Sequence, residues 1–172
     1  MTLDVSDYLL FLFIIIAFIW DVKYKKLPNL LTFGGMAIAL VIHLIFDHLE
    51  GFLASSLGLL VGGGVMLILY FFRAVGAGDV KLFAAIGAFT GIQLALYSMM
   101  YSIIYAGIIG LIILLCTRQF MIRMMNGLLE VLNSVTSRSF KALEEYKRKE
   151  SLRFPFMYAV LPAIVTTYYY FI

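Results

Sequence analysis

Residues Leu82 to Cys116 read LFAAIGAFTGIQLALYSMMYSIIYAGIIGLIILLC, a run of 35 without one charged side chain. As a single helix it would extend about 52 Å at 1.5 Å per residue, far more than the roughly 30 Å hydrocarbon layer of a bilayer. The run is therefore read as two crossings, 80–92 and 94–116, with a turn near Thr90-Gly91. Four further apolar runs follow from the same count: Leu3–Trp20, Leu30–Phe46, Phe52–Phe72 and Phe154–Ile172. The expected fold class is all-α: a polytopic membrane protein of about six transmembrane helices in one domain over 1–172, with approximate spans 3–20, 30–46, 52–72, 80–92, 94–116 and 154–172 and a loop over 117–153.

Composition agrees. Of 172 residues, 63% are hydrophobic and 13% charged, against about 45–50% and about 25% in soluble domains. The mean hydropathy is +1.01. A soluble domain of this size cannot hide that much apolar surface, and disorder is excluded by the same figures. The single cysteine, Cys116, excludes a disulfide scaffold or a Cys-based zinc fold and is read as a packing residue. A membrane β-barrel would show short alternating segments instead of unbroken runs.

Charge then sets the orientation, because lysine and arginine gather on the cytoplasmic side. With six spans, all 13 Lys and Arg fall in three loops of one side, Val22–Asn29, Arg73–Lys81 and Thr117–Arg153. The other side carries Asp4, Asp7, Asp47 and Glu50 and no basic residue. Both termini are accordingly expected outside. The first run has no basic n-region and no small-residue cleavage site, so it is not read as a signal peptide. Within Arg118–Glu150 a helical spacing of Phe120, Met121, Met124, Met125, Leu128, Leu132 and Val135 suits a helix lying in the headgroup layer. That helix serves as a lipid-anchored connector or, alternatively, receives a substrate helix. No repeat or low-complexity tract is visible.

Charged residues at spans are the default functional suspects. Glu130, Glu144, Glu145 and Glu150 sit among basic residues and read as surface charge. Asp21, directly after Trp20, and Asp79, after Gly76-Ala77-Gly78, belong to the same membrane edge and can meet when the bundle packs. Two adjacent carboxylates share a proton. The ionised one can take a proton from water while the protonated one polarises a carbonyl, which is peptide hydrolysis without metal or covalent intermediate. The flanking glycines Gly76 and Gly78 allow unusual backbone angles and close approach to Asp79. Loop glycines with an aspartate capping a helix would read the same way. Pro28-Asn29 starts the second span, with Asn29 as a possible cap. Lys23, Lys26 and Lys81 lie near the acids and can act on a carboxylate or on substrate; Lys25 and Lys26 also suit anionic lipid. His43 and His48 are read as packing and solvent residues, and the glycines of the third span as close helix contacts.

Gly76-Ala77-Gly78-Asp79-Val80-Lys81-Leu82 resembles the G-x-G-D-V-K-L stretch of the type IV prepilin peptidases, and Asp21-Val22-Lys23-Tyr24-Lys25-Lys26-Leu27-Pro28-Asn29 resembles that family's first aspartate motif. The resemblance implies a membrane-embedded aspartic endopeptidase of a prokaryotic plasma (cytoplasmic) membrane. Asp21 and Asp79 would be its catalytic pair, Gly76 and Gly78 its active-site loop, and Lys23, Lys26, Pro28, Asn29 and Lys81 supporting residues. It implies no metal and no cofactor. The partners would be a prepilin-like substrate with a hydrophobic N-terminal helix and the bilayer, not nucleic acid. Larger members carry a zinc-binding cysteine insertion before the first aspartate and also methylate the product. Twenty residues precede Asp21 here and none is cysteine, which resembles the short, peptidase-only branch serving Flp-type pili or archaeal preflagellins. Two alternatives remain open at this point: a presenilin-type intramembrane protease, which also uses a G-x-G-D aspartate, and a proton- or cation-coupled transporter, whose acids would lie nearer the midplane.

The charge reading predicts that a cysteine at position 25, in a Cys116→Ser background, is protected from an impermeant thiol reagent in intact cells. A cysteine placed within Asp47–Gly51 is labelled. Labelling of position 25 from outside would overturn the orientation.

Overall fold

The computed structural model describes residues 4–116 and 156–171. Their regular structure is helical throughout: α1 Val5–Tyr24, α2 Asn29–Phe46, α3 His48–Phe71, α4 Ala77–Cys116 and α5 Met157–Phe171. α1 to α4 contain stretches long and apolar enough to cross a membrane. The amphipathic stretch expected within Arg118–Glu150 lies outside the described residues. The chain divides into two compact units, Met1–Ala106 with Pro155–Ile172 and Gly107–Phe154. The first holds both aspartates; the described part of the second is the end of α4.

Among the described residues the expected spans correspond to helices with different bounds, and the differences have local causes. The run 80–116 lies within α4, which is two helical segments meeting at a kink at Gly91, whose φ 75° and ψ −176° are not helical. That conformation is nearly confined to glycine, and the break falls where the turn was expected. The outer loop expected at Asp47–Glu50 shrinks to Asp47, because His48 takes a positive φ of 56° and restarts the helix at once. α5 has 15 residues, about 22 Å, short of the hydrocarbon thickness by itself. α1 continues past Trp20 to Tyr24, where Lys25 in the left-handed region (φ 52°) closes it.

α1 turns one stripe inward: Leu10, Phe13, Ile14, Ala17 and Asp21 are its buried residues, at helical spacing. Its other faces stay apolar and exposed, as in Leu12, Ile15, Ile16 and Ile19, the pattern of a helix with lipid rather than water around it. α4 is central. Every residue from Leu82 to Phe89 is buried, with α3 laid directly against it. A side chain at Gly58 would overlap the Gly87 carbonyl, one at Gly87 would overlap Gly58, and one at Gly62 would run into the Phe83 carbonyl. Backbones this close give extensive van der Waals contact, which drives helix association where no hydrophobic effect operates between helices.

The break at Gly91 needs partners for the carbonyls at the end of the first half of α4. Ser55 Oγ of α3 donates to the Ala88 carbonyl at 2.6 Å, and His43 Nε2 of α2 donates to the Phe89 carbonyl at 3.1 Å. Thr90 Oγ1 turns back to the Ile86 carbonyl at 2.9 Å. His43 Nδ1 lies 2.8 Å from Asp47 Oδ2, and because a carbonyl only accepts, Nε2 is the donor to Phe89. His43 is thus a bridge between α2 and α4, not the packing residue expected. α2 also packs along α3, and α1 contacts both α2 and α5. The Tyr168 hydroxyl of α5 donates to Asp7 Oδ1 of α1 at 2.7 Å.

The glycine contact yields a paired expectation. Gly58→Ala should destabilise by at least about 1–3 kcal/mol, as overpacking does. Gly64→Ala, where an added Cβ meets nothing within 4 Å, should be neutral or slightly stabilising. Thermal unfolding in detergent checks both, and equal effects would contradict the close α3–α4 approach.

Candidate active site

Asp21 is set by α1. Because that helix extends one turn beyond Trp20, Asp21 continues the buried stripe instead of following the span's end, and only 8% of the residue is exposed. A carboxylate so placed needs a donor. It finds one in α5: the Met157 backbone N–H, at the first residue of that helix, points to Asp21 Oδ2 at 3.4 Å. No feature of the sequence around Met157 announces this contact.

Asp79 is set by the start of α4. It is the helix's third residue, and its Oδ2 accepts the Gly76 backbone N–H at 3.0 Å. This is the carboxylate half of a capping box. The capping reading of Asp79 is therefore correct as local structure, though at the third helical position and not at the cap itself. Asp7 does the same for α1, accepting the Asp4 N–H at 2.9 Å. The two acids then differ in surroundings. Asp7 is also bonded to Tyr168, whereas Asp79 lies within coulombic range of Asp21. Each of Asp21 and Asp79 thus places one oxygen on a backbone N–H at the first turn of a helix, where the dipole favours an anion. Among the described residues the second oxygen of each makes no hydrogen bond and is left for a water or a peptide.

The glycines are not alike. Gly76 lies just before α4, and a Cβ there would come 3.2 Å from Asp79 Oδ2, so it gives the carboxylate room. Gly78 belongs to the first turn of α4, not to a loop. Its backbone is not left-handed, and a Cβ would meet only Leu27, at an ordinary 3.9 Å. The unusual backbone angles expected of it are absent because the helix has already begun.

The supporting residues are redistributed as well. Pro28 is the N-cap of α2, its fixed φ near −69° leading into the helix. Asn29 does not cap; its Oδ1 accepts from Lys81 Nζ at 2.7 Å. Lys23 lies over the neighbouring Tyr24 ring at 5.3 Å and is exposed, as are Lys25 and Lys26. Among the described residues none of these lysines pairs with Asp21 or Asp79. A cleft of about 430 Å³ opens elsewhere, lined by Asp7, His43, Asp47, Ser55 and Gln93 among others. It lies toward the start of α1, about 21 Å along that helix from Asp21 at 1.5 Å per residue.

The comparison with known families matches residues 8–115 to the type IV leader peptidase family. The matched range contains Asp21, Pro28-Asn29 and the whole Gly76–Lys81 stretch. No curated protein and no solved structure matches the chain. Long apolar helices, two acids within coulombic range of each other at the ends of two of them, and a family match over well over half the sequence lead to one assignment: this chain belongs to the type IV leader peptidase family.

Proposed function

We propose that this membrane peptidase works by an aspartic mechanism, with Asp21 and Asp79 as the paired acids. Its substrates are prepilin-like precursors (pilins, pseudopilins or flagellins), whose short basic leader it removes at the cytoplasmic boundary of a prokaryotic plasma membrane. The observation that carries the reading is that Asp21 and Asp79, from different helices, lie within coulombic range of each other, each held by a backbone N–H and, among the described residues, with one oxygen free of hydrogen bonds.

Such a pair can hydrolyse an amide with water as the only co-reactant. The ionised carboxylate takes a proton from a water held between the acids, and the water oxygen bonds to the scissile carbonyl carbon. The protonated partner gives its proton to the carbonyl oxygen. When the tetrahedral intermediate collapses, the C–N bond breaks and the first acid passes its proton to the leaving nitrogen. A hydroxyl proton returns to the second acid, restoring the pair. A basic leader would be repelled by the exposed Lys23, Lys25 and Lys26, so recognition rests on the hydrophobic helix that follows it and on extended backbone near Gly76 and Gly78. Methyl transfer is not part of the reading: with Cys116 as its single cysteine, the chain cannot assemble the paired-cysteine zinc site that accompanies it in larger members.

Asp21→Asn and Asp79→Asn should each abolish cleavage of a prepilin-like substrate while the protein still inserts and stays monodisperse in detergent. The amide keeps the shape and one acceptor oxygen but cannot exchange the proton. The double variant should be hardly worse than either single, since residues acting as one unit are strongly non-additive. Gel analysis of leader removal checks this; a folded single variant cleaving at the wild-type rate would defeat the dyad.

The two glycines give a separate expectation. Gly76→Ala pushes on the Asp79 carboxylate and should lower kcat on the order of 10-fold or more, as ångström-scale misplacement does. Gly78→Ala should leave the thermal unfolding temperature unchanged. Cleavage and unfolding assays decide, and wild-type kcat in Gly76→Ala would refute the contact.

A further inference from the structure

Lys81 is held in a way its surroundings do not require. Its ammonium donates to Asn29 Oδ1 at 2.7 Å and lies 5.1 Å from the centre of the Phe33 ring. Asn29 and Phe33 are four residues apart on α2 and therefore share a face. A cation between the first turns of α2 and α4 opposes the dipoles of both helices, so helix capping does not account for it. Among the described residues this is the one side-chain hydrogen bond joining the start of α2 to the start of α4.

The connection runs between the two acids. Lys81 follows Asp79 by two residues in the same rigid turn. Asn29 is tied to Asp21 through the left-handed turn at Lys25 and the fixed φ of Pro28. We propose that Lys81 is a positioning residue, gripping Asn29 and Phe33 so that the turn bearing Asp79 is held in register with the segment bearing Asp21. This inference rests on the aspartic-dyad reading for its kinetic consequence, but its geometric consequence is independent. Without the grip the approach of the acids loosens, and the pair spends less time in the arrangement that activates water. Ground-state binding of the substrate helix is untouched.

The experiment has a kinetic arm and a distance arm. For a prepilin-like substrate, Lys81→Met and Asn29→Leu should each lower kcat on the order of 10-fold to 10²-fold with KM nearly unchanged. The double variant should be no slower than the slower single, because both remove one link. Asn29→Asp, which keeps an acceptor oxygen for the ammonium, should retain most of the activity. A lysine that binds substrate would instead raise KM and multiply with Asn29→Leu, and a lysine of purely structural value would lower thermal stability with kcat intact; either result overturns the proposal. In the distance arm, spin labels at the exposed Val22 and Ala77, in a Cys116→Ser background, report the separation of the two segments by pulsed electron resonance. A narrow distribution that broadens in Lys81→Met supports the grip, and identical distributions refute it. If Asp21→Asn and Asp79→Asn proved fully active, the dyad reading would fall while the distance arm still decided on Lys81.

Discussion

A helix that breaks among packed helices must pass its loosened carbonyls to other groups, since an unpaired buried peptide oxygen is costly. α4 breaks at Gly91, and the neighbouring helices answer with Ser55 and His43. Both side chains reach from a different helix to a backbone oxygen whose position is fixed by the break. They therefore set the depth and rotation of α4 against α2 and α3 more narrowly than apolar packing could. The glycine contact of Gly58 and Gly87 sits within one turn of these bonds and brings the backbones close enough for Ser55 to reach. With α4 fixed at that end, its other end carries Asp79 to a defined place.

The candidate site is assembled from helix ends rather than from a pocket. Asp21 closes the buried stripe of α1 and meets the first N–H of α5; Asp79 opens α4 and meets the N–H that precedes it. Acids at such junctions are partly shielded from water, yet among the described residues each keeps one oxygen free of hydrogen bonds. In the proposed function, the apolar remainder of the bundle would give a hydrophobic substrate helix a surface to lie along while its polar junction reaches the acids.

Much of this was legible in the residues. The break near Thr90-Gly91 followed from helix length against bilayer thickness, and the glycines of α3 were read as close contacts because small residues at a membrane interface have little other use. Asp21 and Asp79 stood out as acids at one membrane edge, the first directly after a span and the second after Gly76-Ala77-Gly78. What escaped the sequence depends on three-dimensional neighbours. His43 reads as a stray polar residue in an apolar run until the carbonyl it serves is seen. Asn29 after proline looks like a cap, but its oxygen is taken by Lys81 from a distant helix. Gly78 looks like a loop glycine because nothing local marks Ala77 as the first helical residue. The outer loop at Asp47 was overestimated because a positive φ at His48 is not advertised by a non-glycine side chain.

Among the described residues both acids are held by peptide nitrogens, those of Met157 and Gly76, and not by side chains. Almost any residue can stand at position 157 without removing its donor; only proline, which fits the first turn of a helix while lacking the N–H, deletes it. Alanine scanning is therefore blind to the Met157 donor that grips Asp21. Tolerance of alanine at position 157 says nothing about the importance of its amide. Replacing a single amide by an ester, which keeps every side chain and subtracts one donor, is the chemical edit to which this site would be sensitive.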